Sequence, residues 1–316
     1  MLKKIITISC LGLLTVGCSS TPDVDLSSAS PAYNKAYGTY LTEPYKFGGR
    51  TYKSKLRDFS EDEAKEAERA FEKSSGGNVS ILFGGVALLT GDLTGAIDVA
   101  GGAAANIASS RHPSARSGWV VSVDASSAKD GIEAKKIATS VIQSATVNLL
   151  RSKGNKIEMV VTKEAGVAKV GGAEIPPKTA YQLNDAVLFG MNNDHFYDDK
   201  RGFELNKDKS AYVPTGNTIW WGVDVANYMA FDKGYVKGYE GIEGYEQFME
   251  DLTSALPSEY MYYSSPVPRQ LLIENKDKSS WACSDCLEEE SFLLYTQQIP
   301  RIYTNGEKLD FIKSAK

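Results

Sequence analysis

The chain has 316 residues, 42% of them apolar and 24% charged, with a formal net charge of −5. That length and apolar content allow a sizeable core, in two modest domains or in one large domain with an extended tether. The mildly acidic balance gives no electrostatic reason to bind nucleic acid or anionic lipid headgroups. Only two histidines, His112 and His195, are present for metal sites or general-base catalysis.

The chain opens Met1-Leu2-Lys3-Lys4, continues as a largely apolar stretch from Ile5 to Val16, and then reaches Gly17-Cys18. A charged start, an apolar middle and a small residue before the cut are the parts of a secretory signal, too short and wrongly flanked for a membrane span. A Cys directly after Gly resembles the lipobox of bacterial lipoproteins, although Thr15 stands where Leu is commonest and Leu14 lies one place early. The resemblance implies diacylglycerol on the Cys18 sulfur, removal of residues 1–17 and acylation of the new amino terminus. Ser19 and Ser20 follow where an Asp would favour inner-membrane retention, which implies the outer membrane, with the body in the periplasm. Each methylene buried by the acyl chains contributes roughly 0.8 kcal/mol, so several chains make a stable anchor.

Residues 18–58 form a lipidated tether and an irregular segment. Ser, Asp, Thr, Pro and Ala dominate as far as Ala32, and the aromatic run Tyr33 to Tyr52 is expected to wrap across a domain surface. A domain over 59–165 follows. Ser60 and Glu63 have capping-box spacing, and Phe59 and Ala64 are placed as a hydrophobic staple, so a helix starts here. Its narrow stripe is Ala64, Ala67 and Phe71, and Gly76-Gly77 ends it. The next segment, Ile81 to Ala108, is rich in Gly and Ala. Ala87, Gly91, Gly95 and Ala103 recur at multiples of four and would let another helix backbone approach closely. Packing within the domain, a membrane-inserting or oligomerising hairpin, and a glycine loop are the alternatives there.

Trp119 to Val123 has strand character. Asp130 caps a helix with Glu133 three residues on, and Ala134, Ile137, Ala138, Val141, Ile142, Ala145 and Leu149 mark one buried face up to the stop at Lys153-Gly154. Ile157 to Val161 is a second strand, so this span has the order of a βαβ unit. Gly171-Gly172 and Pro176-Pro177 mark a linker over 166–180. The remainder, 181–316, is an aromatic-rich mixed domain holding twelve of the seventeen tyrosines. Strands are expected within Ala186–Met191, Thr218–Val225, Tyr260–Tyr263, Gln270–Glu274 and Phe292–Gln298. Tyr245, Phe248, Met249, Leu252 and Leu256 have helical spacing, with Pro257 beyond. Asn305-Gly306 between two apolar-containing runs predicts a closing hairpin. The fold class is therefore α+β: a βαβ unit and Gly/Ala-rich helices first, then a strand-dominated part ending in a hairpin.

Few residues point to chemistry. Cys283-Ser284-Asp285-Cys286 is a C-x-x-C. A zinc site needs two further ligands, and the acidic run Glu288-Glu289-Glu290 disfavours a reactive thiolate, so a structural disulfide between Cys283 and Cys286 is expected ahead of a redox pair or metal ligands. Ser126-Ser127-Ala128-Lys129 has the S-x-x-K spacing of a Ser nucleophile near Lys, but a loop leading to the Asp130 cap explains it as well. Asp194, His195 and Asp198 cluster acceptors around a histidine. They could hold a ligand or serve as acid and base, or form a solvated turn. Trp220 and Trp221 could stack on sugars or peptides, or pair within a sheet.

No cofactor, metal site or catalytic residue is assigned from sequence. The expectation is a lipid-anchored, non-catalytic scaffold or assembly subunit of a bacterial envelope complex, touching the membrane through its lipid and an envelope protein as partner. The alternatives are a lipoprotein that binds peptidoglycan or another glycan through Trp220 and Trp221, and a periplasmic hydrolase using Ser126 or His195.

Overall fold

The structure, a computed structural model, describes residues 26–66, 107, 110–162, 178–184, 187–189, 202–216, 231, 234–266, 272–273, 292–293 and 299–313. The fold is mixed α+β. Its helices are α1 (Pro31–Ala36), α2 (Gly131–Ser152) and α3 (Gly241–Ser254), with a further helical segment at 61–66. The strands are β1 (Tyr45–Phe47), β2 (Arg50–Tyr52), β3 (Gly118–Val120), β4 (Val123–Asp124), β5 (Ile157–Thr162), β6 (Lys178–Leu183) and β7 (Val187–Phe189). They continue as β8 (Phe203–Leu205), β9 (Ala211–Pro214), β10 (Met261–Ser264), β11 (Leu272–Ile273), β12 (Phe292–Leu293), β13 (Arg301–Thr304) and β14 (Glu307–Asp310).

The organising element is an antiparallel sheet in the order β14-β13-β10-β3. Its register sets Tyr262 opposite both Trp119 and Tyr303, and Tyr263 opposite both Gly118 and Ile302. Side chains alternate across a strand, so Trp119, Tyr262 and Tyr303 face one way and Val120, Met261, Tyr263 and Ile302 the other. Both faces are buried. The first set joins a core with α2 and α3 (Ala134, Ala138, Ile142, Leu150, Phe248, Met249, Leu252). The second joins Ala32 and Ala36 of α1 with Leu41, Leu56, Phe59, Ile107 and Phe311. Residues before and after the 166–180 stretch thus share one sheet and one core.

The helix boundaries follow their capping chemistry. The Asp130 carboxylate accepts from the Glu133 N–H at 2.8 Å, and the Glu133 carboxylate accepts from the Lys129 N–H at 2.8 Å. At the other end the Asn155 N–H reaches the Leu150 carbonyl (3.2 Å) and the Gly154 N–H the Arg151 carbonyl (2.9 Å), the two bonds of a Schellman motif. Of the expected face of α2, Ala134, Ala138 and Ile142 are fully buried and Ile137, Val141, Ala145 and Leu149 partly so, while Thr146, Val147 and Leu150, outside the expected set, complete the buried side. A Cβ on Gly131 would fall 1.8 Å from the Phe203 carbonyl oxygen, so the close approach of α2 to β8 requires glycine there. Every expected apolar residue of α3, with Leu256 just beyond it, is buried. Ser60 and Glu63 form the reciprocal capping box, each backbone N–H bonded to the other's side chain at 2.9 and 3.2 Å. Phe59 and Ala64 are both buried beside it.

Asn305-Gly306 closes β13 onto β14, with φ of 52° and 80° as a type I′ turn requires. The run Tyr33–Tyr52, expected to be irregular, contains the later part of α1 and a hairpin, β1–β2, turned by Gly48-Gly49. The βαβ expectation is corrected. Strand, helix and strand do follow in order, but β3 lies in the central sheet, β4 pairs with β9, and β5 pairs with β6. Each named ladder is antiparallel. A local strand–helix–strand pattern states the order of elements, not the sheet each strand joins. The Gly/Ala-rich segment Ile81–Ala108 and the strand expected at Thr218–Val225 lie outside the described residues, except Ile107, which is helical and fully buried. No helix among the described residues is long and apolar enough to cross a membrane.

Candidate functional site

Cys18, Asp194, His195, Asp198, Trp220, Trp221, Cys283 and Cys286 all lie outside the described residues. The disulfide expected between Cys283 and Cys286 is not upheld, because no disulfide-forming cysteine is present among the described residues. C-x-x-C spacing fixes a distance along the chain, not the Cβ approach of about 3.5–4.5 Å that a bridge needs.

Ser126 is described, and its hydroxyl is committed. It sits in a short 3-10 turn, where its N–H and its O–H both donate to Asp124 Oδ1, at 2.7 and 2.5 Å. These bonds depress the Asp124 carboxyl below its ordinary value. The Lys129 backbone serves the α2 cap instead. The S-x-x-K spacing is therefore occupied by two consecutive turns.

The second histidine gives the most specific polar cluster. His112 is 1% exposed. Its Nε2 lies 2.9 Å from the Glu43 carbonyl oxygen, and its Nδ1 accepts the Ser114 N–H at 3.1 Å beside the Ser114 hydroxyl at 2.9 Å. A carbonyl can only accept, so the proton resides on Nε2 and Nδ1 is the acceptor. Burial pulls the imidazole pKa down against the raising effect of the Glu43 carbonyl, which keeps the ring neutral. Pro113 follows at the first position of a 3-10 turn, so His112 serves as an N-cap. The Tyr263 hydroxyl donates to the Ser114 carbonyl at 2.7 Å, and burial raises that phenol well above its usual range. Ser114 is fully buried. The Ser–His contact has no open face for a substrate; it fastens residues 43 and 112–114 to the sheet. The sequence signal was present in His-Pro-Ser, where a side-chain acceptor precedes a Pro-initiated turn.

Two further polar groups join elements. Glu246 on α3 accepts from Arg301, and from Lys308 Nζ at 2.7 Å, while Arg301 Nε donates to Asp310 Oδ1 at 2.7 Å. Burial works to raise the Glu246 carboxyl, but the Lys308 hydrogen bond and the two cationic charges outweigh it and leave it lowered. The second group is an asparagine pair. Asn184 Nδ2 donates to Asn155 Oδ1 (2.7 Å) and to the Tyr235 carbonyl (2.8 Å), and Asn155 receives the Lys237 N–H (2.9 Å). This pair holds the end of α2, the end of β6 and the approach to α3 together.

No protein-family model, no curated protein and no solved structure matches the chain. The site must therefore be argued from its own residues. Among the described residues no group of three or more His, Cys, Asp or Glu gathers to hold a metal ion. The polar clusters they do contain join backbone segments to one another.

Proposed function

We propose that the chain is a lipid-anchored, non-catalytic scaffold or assembly subunit of a bacterial envelope complex, held on the outer membrane through Cys18 with its body in the periplasm. The observation that carries the reading is the amino-terminal sequence: Lys3-Lys4, an apolar run, then Gly17-Cys18 followed by serines. The described body supports it, because the polar clusters at His112, Asn155 and Glu246 are spent on joining segments.

The test has two parts. Cys18→Ala should end incorporation of a labelled fatty acid and release the chain into the soluble fraction after a high-salt wash. Mild crosslinking in cells followed by capture should then return a discrete envelope protein. Retention on cell-wall material without a partner would favour the glycan-binding reading through Trp220 and Trp221, and turnover of a substrate would favour the hydrolase.

A further inference from the structure

The net charge of −5 conceals a local reversal. Residues 44–57 contain Lys46, Arg50, Lys53, Lys55 and Arg57 and no acid. Glu43 precedes them, and Asp58, which follows, is buried and occupied by Ser30. The fold turns these cations outward. Lys46 and Arg50 are exposed on the β1–β2 hairpin. Beyond it the chain alternates, with Ser54, Leu56 and Asp58 turned inward and Lys53, Lys55 and Arg57 outward. Arg57 pairs with Glu63, while Lys46, Arg50, Lys53 and Lys55 make no ion pair among the described residues.

Phe47 stands at the tip of the same hairpin, 51% exposed, opposite Arg50 in the register and stacked on Tyr45 at 6.3 Å between ring centroids. Tyr45 in turn meets the buried His112 edge-on at 6.3 Å, which fixes the base of the hairpin. An exposed aromatic ring beside several cations is the composition of a membrane-interface contact: the ring enters the headgroup boundary and the cations meet anionic phosphates.

The place of the hairpin fits that occupant. Leu26, where the described chain begins, is eight residues from Cys18. Even a fully extended chain spans no more than about 28 Å over that length. The Ser30 N–H and hydroxyl are bonded to Asp58 at 2.8 and 2.5 Å, which pins the end of the tether beside the end of the basic stretch.

We infer that the tip of the β1–β2 hairpin is a second membrane contact, in which Phe47 enters the interface of an anionic bilayer while Arg50, on the same face, and Lys46, on the other, meet its phosphates. The inference rests on the anchored reading of Cys18, which brings the body to the bilayer. A single attachment at Cys18 limits height but not orientation, and the hairpin supplies the orientation.

The test uses residues 18–316 with Cys18→Ala, the processed chain without its lipid, sedimented at low salt with vesicles of phosphatidylglycerol and phosphatidylethanolamine, or with uncharged phosphatidylcholine vesicles. Binding to the anionic vesicles alone is expected. Each cation contributes about fivefold near an anionic surface, so Lys46→Glu with Arg50→Glu should weaken binding by about 25-fold or more. Phe47→Ser should weaken it several-fold. All three side chains are exposed, so these variants keep the fold. Absent vesicle binding, equal binding to uncharged vesicles, indifference to both changes, or sedimentation with cell-wall sacculi in place of vesicles would each overturn the contact. Fatty-acid labelling of the unmutated chain is read separately. Labelling with no vesicle binding by the Cys18→Ala chain sinks the hairpin contact alone, and vesicle binding without labelling sinks the lipid anchor while supporting the contact.

Discussion

On one face of the central sheet, α2 and α3 bury Ile142, Leu150, Phe248 and Met249 in a core with Trp119, Tyr262 and Tyr303. On the other face the amino-terminal segment adds fewer apolar side chains and is fastened at single polar atoms: Ser30 to Asp58, His112 to Glu43 and Ser114, Tyr263 to Ser114. Apolar packing is non-directional and scales with area. Buried hydrogen bonds are directional, and removing one partner leaves the other unsatisfied. The helical face should therefore answer to volume, and the amino-terminal face to individual atoms and to pH.

The largest effect should come from volume. Phe248→Ala removes a fully buried ring lying 5.1 Å from Phe231 and 5.3 Å from Tyr239. It should cost about 3–5 kcal/mol in urea unfolding; a cost under about 1 kcal/mol would mean that α3 is only loosely docked. Next, Asp58→Ala leaves the Ser30 N–H and hydroxyl buried without their acceptor and should cost about 1–3 kcal/mol. Asp58→Asn, which keeps one acceptor oxygen, should recover part of this. Equal losses in the two variants would show that geometry at this site is immaterial.

The pH dependence comes third. His112 has a folded-state pKa below its unfolded one, so the unfolded chain binds the proton first. Its contribution is whole above the ordinary histidine range near 6.5 and declines as pH falls through that value towards the lowered one. The melting temperature of the unmutated protein should fall as pH drops below about 6.5, and His112→Gln should flatten that slope. An unchanged slope would move its origin to other groups. The smallest effect is at the capping box. Ser60→Ala should cost about 1 kcal/mol. Glu63, held down to about 2 by Arg57 and the Ser60 N–H, should keep its contribution until pH falls below the ordinary carboxylate range towards that value. A circular-dichroism titration of Glu63→Gln beside the unmutated chain checks this.

The same division explains what could be read in advance. The face of α2, the stripe of α3, the Ser60–Glu63 box and the Asn305-Gly306 turn are encoded within a few residues, and the structure has them where spacing placed them. Sheet partners are not local. Nothing near Trp119 states that β3 pairs with β10, some 140 residues on. The β1–β2 hairpin was hidden for another reason: its strands have three residues each, and its cations and aromatics blur any alternation. Whole-chain charge masked the basic stretch, since a sum of −5 carries no position. The capping role of His112 is not legible in the sequence, because a lone histidine in a loop signals chemistry more readily than it signals a cap. The residues singled out for ligand binding, Trp220, Trp221, His195, Asp194 and Asp198, lie outside the described residues and remain expectations.

The bonds around Phe59 bear on how the body would meet a mechanical load. The Phe59 N–H donates to the Phe311 carbonyl at 2.8 Å and the Lys313 N–H to the Phe59 carbonyl at 2.9 Å, a parallel bridge one residue beyond the Asp58 clamp. A pull arriving through the amino terminus reaches Ser30, crosses to Asp58 and passes at once into the segment that follows β14. Such a pull is thus delivered directly to the last strands of the central sheet, because Ser30 and the segment Phe311–Lys313 are fastened to adjacent residues, Asp58 and Phe59.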